Sequence, residues 1–354
     1  MAIELSYITF TERADIVPVF GAEQIVNTGI ANTLAGGDII TGISTRPNTM
    51  GPAFSGIHNI GTLNTSDGND IIIGSHLASD YGIGIWNEGT INTGEGNDQI
   101  KGSGTNGLLN DFTIATGNGN DIISGTGEEG GAGISSQGNI NSGGGNDIIF
   151  GTNTKGGGYG IFVEPGLGNS IIDTDDGDDI ITGIARFGIF NYGTINTGNG
   201  ADSIISDSSS GGGSEEYGFF NANIINTGNG NDLIAEVSSR SIFNYGIIDT
   251  GDGDDSLIAH GGFYEDSYHT PGSVFLGNGQ DYLKGFGGGN FNGGNGQDIL
   301  ELTPGSYSVG ISGTAVNFTK GSSVMKTSEF EILIAGSTIY NFASLTNGQT
   351  ISVA

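Results

Sequence analysis

Thr116-Gly117-Asn118-Gly119-Asn120-Asp121-Ile122-Ile123-Ser124 decides how this chain is read. Two glycines bracket one variable position, an aspartate closes the turn, and an apolar residue stands two places beyond it. Versions of the stretch recur from near residue 34 to residue 300. They place the aspartate at Asp38, Asp70, Asp98, Asp121, Asp147, Asp179, Asp202, Asp232, Asp255, Asp281 and Asp298. Neighbouring aspartates lie 32, 28, 23, 26, 32, 23, 30, 23, 26 and 17 residues apart. A motif returning at such intervals marks a repeat architecture, which grows in one dimension without a single central core.

The 23-residue units are the plainest. Between Asp179 and Asp202, glycine turns bound three short β-branched or aromatic runs, at Ile180–Thr182, Gly188–Asn191 and Thr194–Asn196. No stretch has helical periodicity with caps. Three strands and three turns per unit predict an all-β fold, a right-handed parallel β-helix or β-roll solenoid of about 23–32 residues per coil. With coils about 4.8 Å apart, ten of them make a rod about 50 Å long.

Two inward columns follow. One runs from Ile40 through Ile72, Ile100, Ile123, Ile149, Ile181, Ile204, Ile234, Leu257 and Leu283 to Leu300; the other comprises Leu63, Ile91, Ile114, Ile140, Ile172, Ile195, Ile225 and Ile248. Asn27, Asn59, Asn87, Asn110, Asn191, Asn221 and Asn244 form a polar column, read as an amide ladder at a turn, with a register slip at 161–173. The thickest insertions, at 42–56, 74–82, 151–160 and 206–217, fall between the first and second strands and predict loops along one edge. Residues 1–24 read as an N-terminal cap with strands at Tyr7–Phe10 and Asp15–Phe20, and 25–301 as the solenoid. The 17-residue unit has room for only two strands, so the coil narrows there. Residues 302–354 read as a C-terminal β cap with strands at 306–312, 315–318, 329–334, 338–342 and 351–354.

The charge narrows the chemistry. There are 39 acids against 9 bases, a net charge of −30. Nucleic acid and anionic membranes need clustered lysine and arginine, so neither fits. Carboxylates stacked coil upon coil repel unless cations lie among them, and hard oxygen donors select calcium first. From Asp70 to Asp298 only the aspartate and the glycine two residues before it never vary; Ala201 and Gly144 show that the other turn positions are no obligatory side-chain ligands. The expected metal ligands are therefore Asp70, Asp98, Asp121, Asp147, Asp179, Asp202, Asp232, Asp255, Asp281 and Asp298, with turn carbonyls completing the shell. Asp38, in Leu34-Ala35-Gly36-Gly37-Asp38, is a poorer match. About ten ions in single file between turns would bring the charge from −30 to about −10.

With 69 glycines but only 6 prolines and no strict triplet, collagen is excluded; with no cysteine, so are disulfides, thiolate zinc sites and cysteine nucleophiles. No apolar run approaches a membrane span, and Met1–Ser6 carries no signal-peptide pattern.

Thr116–Ser124, Thr197–Ile205, Thr227–Ala235 and 293–301 resemble the calcium-binding nonapeptide of the RTX (repeats-in-toxin, haemolysin-type) family, Gly-Gly-x-Gly-x-Asp-x-apolar-x. The resemblance covers most of 60–301 and rests on repetition. It departs from the family's back-to-back arrangement, having one nonapeptide per coil and usually threonine for the first glycine. That implies one ion column and a wider coil. Tyr340–Ala354 looks like the uncleaved tail of type I secretion substrates. The resemblance implies one-step export and folding on meeting calcium outside the cell.

The leading functional expectation is a secreted, calcium-stiffened structural or surface protein, with self-assembly into filaments or a surface layer as its partner expectation, and not an enzyme. A polysaccharide-active β-helix enzyme is the alternative, but His58, His76, His260 and His269 are scattered in no evident catalytic pattern and an acidic chain repels anionic substrates. A carbohydrate- or ice-binding module using Thr65, Thr93, Thr116, Thr174, Thr197, Thr227 and Thr250 as an outward file is a third reading. A fragment of a toxin or adhesin is a fourth, though no lytic amphipathic helix supports it.

Overall fold

A computed structural model describes residues 2–17, 24–45, 54–78, 81–153, 155, 157–166, 170–208, 217–265 and 268–354. Each full coil carries three strands, as in Ile180–Ile184, Phe187–Asn191 and Thr194–Asn196. Each strand pairs in parallel with its counterparts in the coils before and after. The first strands of the coils make sheet S1, the second S2 and the third S3, and the chain is an all-β parallel solenoid.

Pairing sets like on like: Ile100 faces Ile123, which faces Ile149. Both predicted apolar columns are buried and merge into one core running the length of the rod. Each isoleucine removed from water stabilises the coil by about 2–3 kcal/mol as an upper figure.

The first strands are longer than predicted. Ile71–His76 and Ile148–Asn153 reach into stretches read as loops. Their fourth residue is an inward glycine, as at Gly125. A Cβ there would sit 1.9 Å from the Gly133 carbonyl oxygen of the facing S2 strand. Close approach of two strands, and no turn, is why glycine stands there. Of the predicted edge loops, 46–53 and 209–216 lie outside the described residues.

The amide ladder is buried. Asn27 donates to Asn59 at 2.8 Å, Asn59 to Asn87 at 2.7 Å and Asn87 to Asn110 at 2.8 Å. The same amides also reach backbone carbonyls one coil on, as Asn87 does to Thr113 at 2.8 Å. The expected slip at 161–173 does not occur. Val163 simply occupies the ladder position, between Ser136 and Asn191, and Ile172 stays paired with Ile140 and Ile195. The inserted Pro165-Gly166 is accommodated in the corner, and 167–169 lie outside the described residues.

At the N-terminus, Ala2–Glu4 opens S2 and Ile16–Val17 opens S1. The strand expected at Tyr7–Phe10 is not formed. A 3-10 turn at Leu5–Tyr7 drives Leu5 into the core instead, and 18–20 of the second expected strand lie outside the described residues. At the other end S2 stops at Ser241–Asn244, and the 17-residue coil is narrower. Gly305–Ser312, Ala315–Lys320 and Ser323–Ser328 then form an antiparallel meander. Ser323–Ser328, which sequence reasoning missed, joins the meander to the solenoid by pairing in parallel with Gly289–Asn292. The strand expected from Glu329 starts at Ile332, because Glu329 itself turns the chain at φ +57.

Candidate metal centre

The glycine turns form one corner of the rod, stacked coil on coil. At each, the second glycine is forced by its neighbour: a Cβ on Gly119, whose φ is +146, would lie 1.6 Å from the Gly96 carbonyl oxygen. Its N–H donates to the next coil's turn, to the Gly144 carbonyl at 2.8 Å. Carbonyls at that middle position are thus committed in turn after turn. Any carbonyls that complete an ion's shell must therefore come from other positions of the turn. Among the described residues, no backbone hydrogen bond ends on the carbonyls of Gly96, Gly119, Gly200 or Gly230.

The structure brings all eleven motif aspartates, Asp38 included, into one file, each at most 2 % exposed. Each uses Oδ1 to accept the backbone N–H of the aspartate one coil earlier, at 2.7 Å from Asp98 to Asp121 and 2.8 Å from Asp179 to Asp202. The file is longer than the motif. Asp15 donates its N–H to Asp38 at 2.7 Å, and Asp298 donates to Glu331 at 2.8 Å. Neither Asp15 nor Glu331 has the glycine turn that reveals the others. Their only signal is an acid followed two places later by an apolar residue, in Asp15-Ile16-Val17 and Glu331-Ile332-Leu333.

Oδ2 of every motif aspartate is buried without a hydrogen-bond partner. Thr65 Oγ1 lies beside the Asp70 carboxylate but donates to the Thr93 carbonyl at 3.3 Å, and one hydroxyl proton cannot serve both. Burial accordingly pushes these carboxyls up. Asp70, Asp121, Asp147, Asp179 and Asp255 rise to about 6, and Asp202 and Asp281 to about 7. Asp38, Asp98, Asp232 and Asp298 rise for the same reason. An ionised, buried oxygen with no donor is costly and calls for a proton or a cation.

These donors fit a hard cation: a carboxylate oxygen per coil, with an uncommitted glycine carbonyl at the same corner, and no nitrogen or sulfur. Among the described residues no three histidine, aspartate or glutamate side chains converge, so carbonyls have to complete any shell.

The other turn positions are not idle, as their variability suggested. Asn97 Oδ1 accepts the Asn120 N–H at 2.7 Å, Asn120 that of Asn146 at 2.9 Å, and Asp178 that of Ala201 at 2.9 Å. This second ladder runs opposite to the aspartate file. Ala201 has no acceptor to pass on.

The threonine file expected to face outward does not. Thr65, Thr93, Thr116, Thr174, Thr197, Thr227 and Thr250 are fully buried, each donating to a carbonyl one coil on, as Thr197 does to Thr227 at 3.2 Å. The residues that do face out on S3 lie three places and one place earlier in the coil. They are Thr62, Thr90, Thr113 and Thr194 in one file, and Asn64, Asn92, Asn196 and Asn226 in the next. Asn92 bonds Asn64 at 2.9 Å, and Asn226 bonds Asn196 at 2.8 Å. On S2 the outward residue just before the ladder asparagine is often aromatic. Phe190 stacks on Phe220 at 4.1 Å, and His58 lies on Trp86 at 4.4 Å while bonding Glu88. Among the described residues, no helix is long and apolar enough to cross a membrane.

No family model and no curated protein matches the chain. Among solved structures it is similar to the X-ray crystal structure of a hyperactive, Ca2+-dependent, beta-helical antifreeze protein from an Antarctic bacterium. The identity is 19%, over 83% of this chain and 78% of that chain, with a TM-score of 0.43.

Proposed function

We propose that this chain is a secreted structural or surface protein whose solenoid folds around, and is stiffened by, about ten calcium ions held in single file along the aspartate corner. The observation that carries the reading is the file of buried, unpartnered Oδ2 atoms, repeated at every motif turn from Asp38 to Asp298. Asp70, Asp98, Asp121, Asp147, Asp179, Asp202, Asp232, Asp255, Asp281 and Asp298 each supply that oxygen, and the second-glycine carbonyls supply further donors. Calcium there neutralises charge that the fold otherwise has to bury. The resemblance of the turns to RTX repeats supports calcium over other hard cations, and the tail resemblance supports export before folding. Assembly into filaments or a surface layer belongs to the same reading, as does the absence of catalysis.

Calorimetric titration of chelator-treated protein, followed in parallel by circular dichroism, tests it. Uptake of about ten calcium ions with a rise in β signal is expected. A spectrum indifferent to calcium and chelator would sink the proposal.

A second reading, a surface-binding module for carbohydrate or ice, is favoured by one observation. The outward S3 files set Thr62, Thr90 and Thr113 on successive coils beside Asn64 and Asn92, and coil-to-coil amide bonds hold the asparagines. Binding to insoluble glycans or to ice by the calcium-loaded protein, lost in Thr90→Tyr or Thr113→Tyr, would support it. Unchanged binding in those variants would place any such activity elsewhere.

A further inference from the structure

We propose that Asn295 is a site of spontaneous covalent modification in the folded protein, deamidation driven by the Gly296 backbone nitrogen. The chain contains eight Asn-Gly pairs. In each, the glycine nitrogen can attack the asparagine side-chain carbonyl carbon, because no side chain on the following residue obstructs it. The new N–C bond closes a five-membered succinimide. The side-chain amide leaves as ammonia, carrying off the proton lost by the glycine nitrogen. Water then opens the ring at either carbonyl, giving aspartate or isoaspartate, and no oxidant or reductant is involved.

The fold disarms this reaction almost everywhere. The Gly119 N–H is held by the Gly144 carbonyl at 2.8 Å, that of Gly200 by Asn229 and that of Gly230 by Asp252, both at 2.7 Å. Gly293 and Gly348 donate to Ser328 and Val309 at 3.0 and 2.8 Å. Gly279 is paired with the turn below, and Gly107 is buried within a strand. A nitrogen committed to a hydrogen bond in a fixed turn attacks only after that coil opens.

Asn295-Gly296 is the last turn of the stack, and among the described residues no partner strand follows it. The chain below cuts the corner. Ser328 stands opposite Asn292 and Glu331 accepts the Asp298 N–H, so Glu329-Phe330 runs where the coil above has residues 293–297. Among the described residues, no hydrogen bond holds the Gly296 N–H. Asn295 is exposed, and its carboxamide is held by a single bond, to Asn278 at 2.7 Å. Glycine is nevertheless obligatory at 296, since a Cβ would meet the Gly279 oxygen at 1.5 Å. The turn thus requires the residue that makes its neighbour reactive. Reaction removes the donor to Asn278 and adds a negative charge to the turn that leads into Asp298. The isoaspartate product also lengthens the turn backbone, so the end of the solenoid loosens first.

Incubation of the folded, calcium-loaded chain in oxygen-18 water, followed by peptide mapping, reads the reaction directly. Label and isoaspartate are expected first at Asn295, with Asn199 and Asn229 slower by about tenfold or more, the retardation of sites that wait for local opening. In denaturant the sites should converge. Asn295→Gln should abolish the early product, and Asn295→Asp should keep the turn, since Asp252 fills the equivalent place. Label at Asn199 or Asn229 as fast as at Asn295 in the folded chain, or none at Asn295, would overturn the proposal. Neither outcome depends on whether calcium is the ion along the corner.

Discussion

Asp202→Asn separates the two tasks of a motif aspartate. Oδ1 accepts the Asp179 N–H at 2.8 Å, while Oδ2, on a residue 1 % exposed, is unpartnered. Asparagine keeps the first function and removes the charge from the second; alanine removes both. Losing a charge-assisted bond to a buried N–H costs about 1.5–3 kcal/mol, so Asp202→Ala should be destabilised with or without calcium. For asparagine the sign should reverse. In chelator at pH 8 the wild-type carboxyl, raised by burial to about 7, is ionised where ionisation is unfavourable. The variant should therefore be at least as stable as wild type. In calcium at about 100 times its dissociation constant, each bound ion contributes about 2.7 kcal/mol, and the variant should lose roughly that. The assay is hydrogen exchange at the Asp179 amide in both conditions, with calorimetric stoichiometry. Asparagine equal to wild type in calcium, with all ions still bound, would refute the assignment of Oδ2 as a ligand.

The pH response should likewise reverse with calcium. Seven of the buried aspartates have folded values of about 6–7, above an ordinary 3.8. Their contribution is fully present below about 4 and is lost as pH rises through 6–7. Without metal, circular dichroism should therefore show more structure at pH 5 than at pH 8; with calcium, acidification should weaken binding and lower stability. Asn87→Val should cost about 3 kcal/mol in urea melts, from three lost bonds of about 1 kcal/mol each. Val163→Asn, at a position the ladder already skips, should stay within about 1 kcal/mol of wild type; equal effects at both sites would show that the ladder carries no stability. Gly200→Ala should lower the melting temperature steeply. Its Cβ would lie 1.8 Å from the Gly177 oxygen at φ +144, and strain alone is worth about 1–3 kcal/mol.

Much of the site was legible because its constraint recurs. A turn that only glycine can adopt and a position that only aspartate fills leave the same mark eleven times, and the comparison of copies isolates them. The ends of the file were not legible. Asp15 and Glu331 join it through backbone hydrogen bonds alone, and a hydrogen bond to a main-chain N–H imposes no motif on its neighbours. The second-ladder asparagines leave little mark in the sequence for a related reason. Ala201 shows that a coil survives losing one link, so variability at that position reflected tolerance and not absence of a role.

The two threonine files show where sequence stops. Thr62 and Thr65 lie three residues apart in the same short stretch, yet Thr62 faces outward and Thr65 is fully buried. Strand alternation predicts opposite faces within a strand, but Thr65 stands just past the end of Thr62–Asn64, where the chain turns the corner. Which way a corner residue points depends on the coils above and below. The sequence by itself determined that the chain is a solenoid, which residues form its apolar columns and where each acidic turn falls, because periodicity is a one-dimensional property. The tertiary structure alone decided which turn oxygens are spent on hydrogen bonds and which are left bare. Burial and pairing of an oxygen are set by the neighbouring coil, about 23 residues away in the chain and one strand spacing away in space.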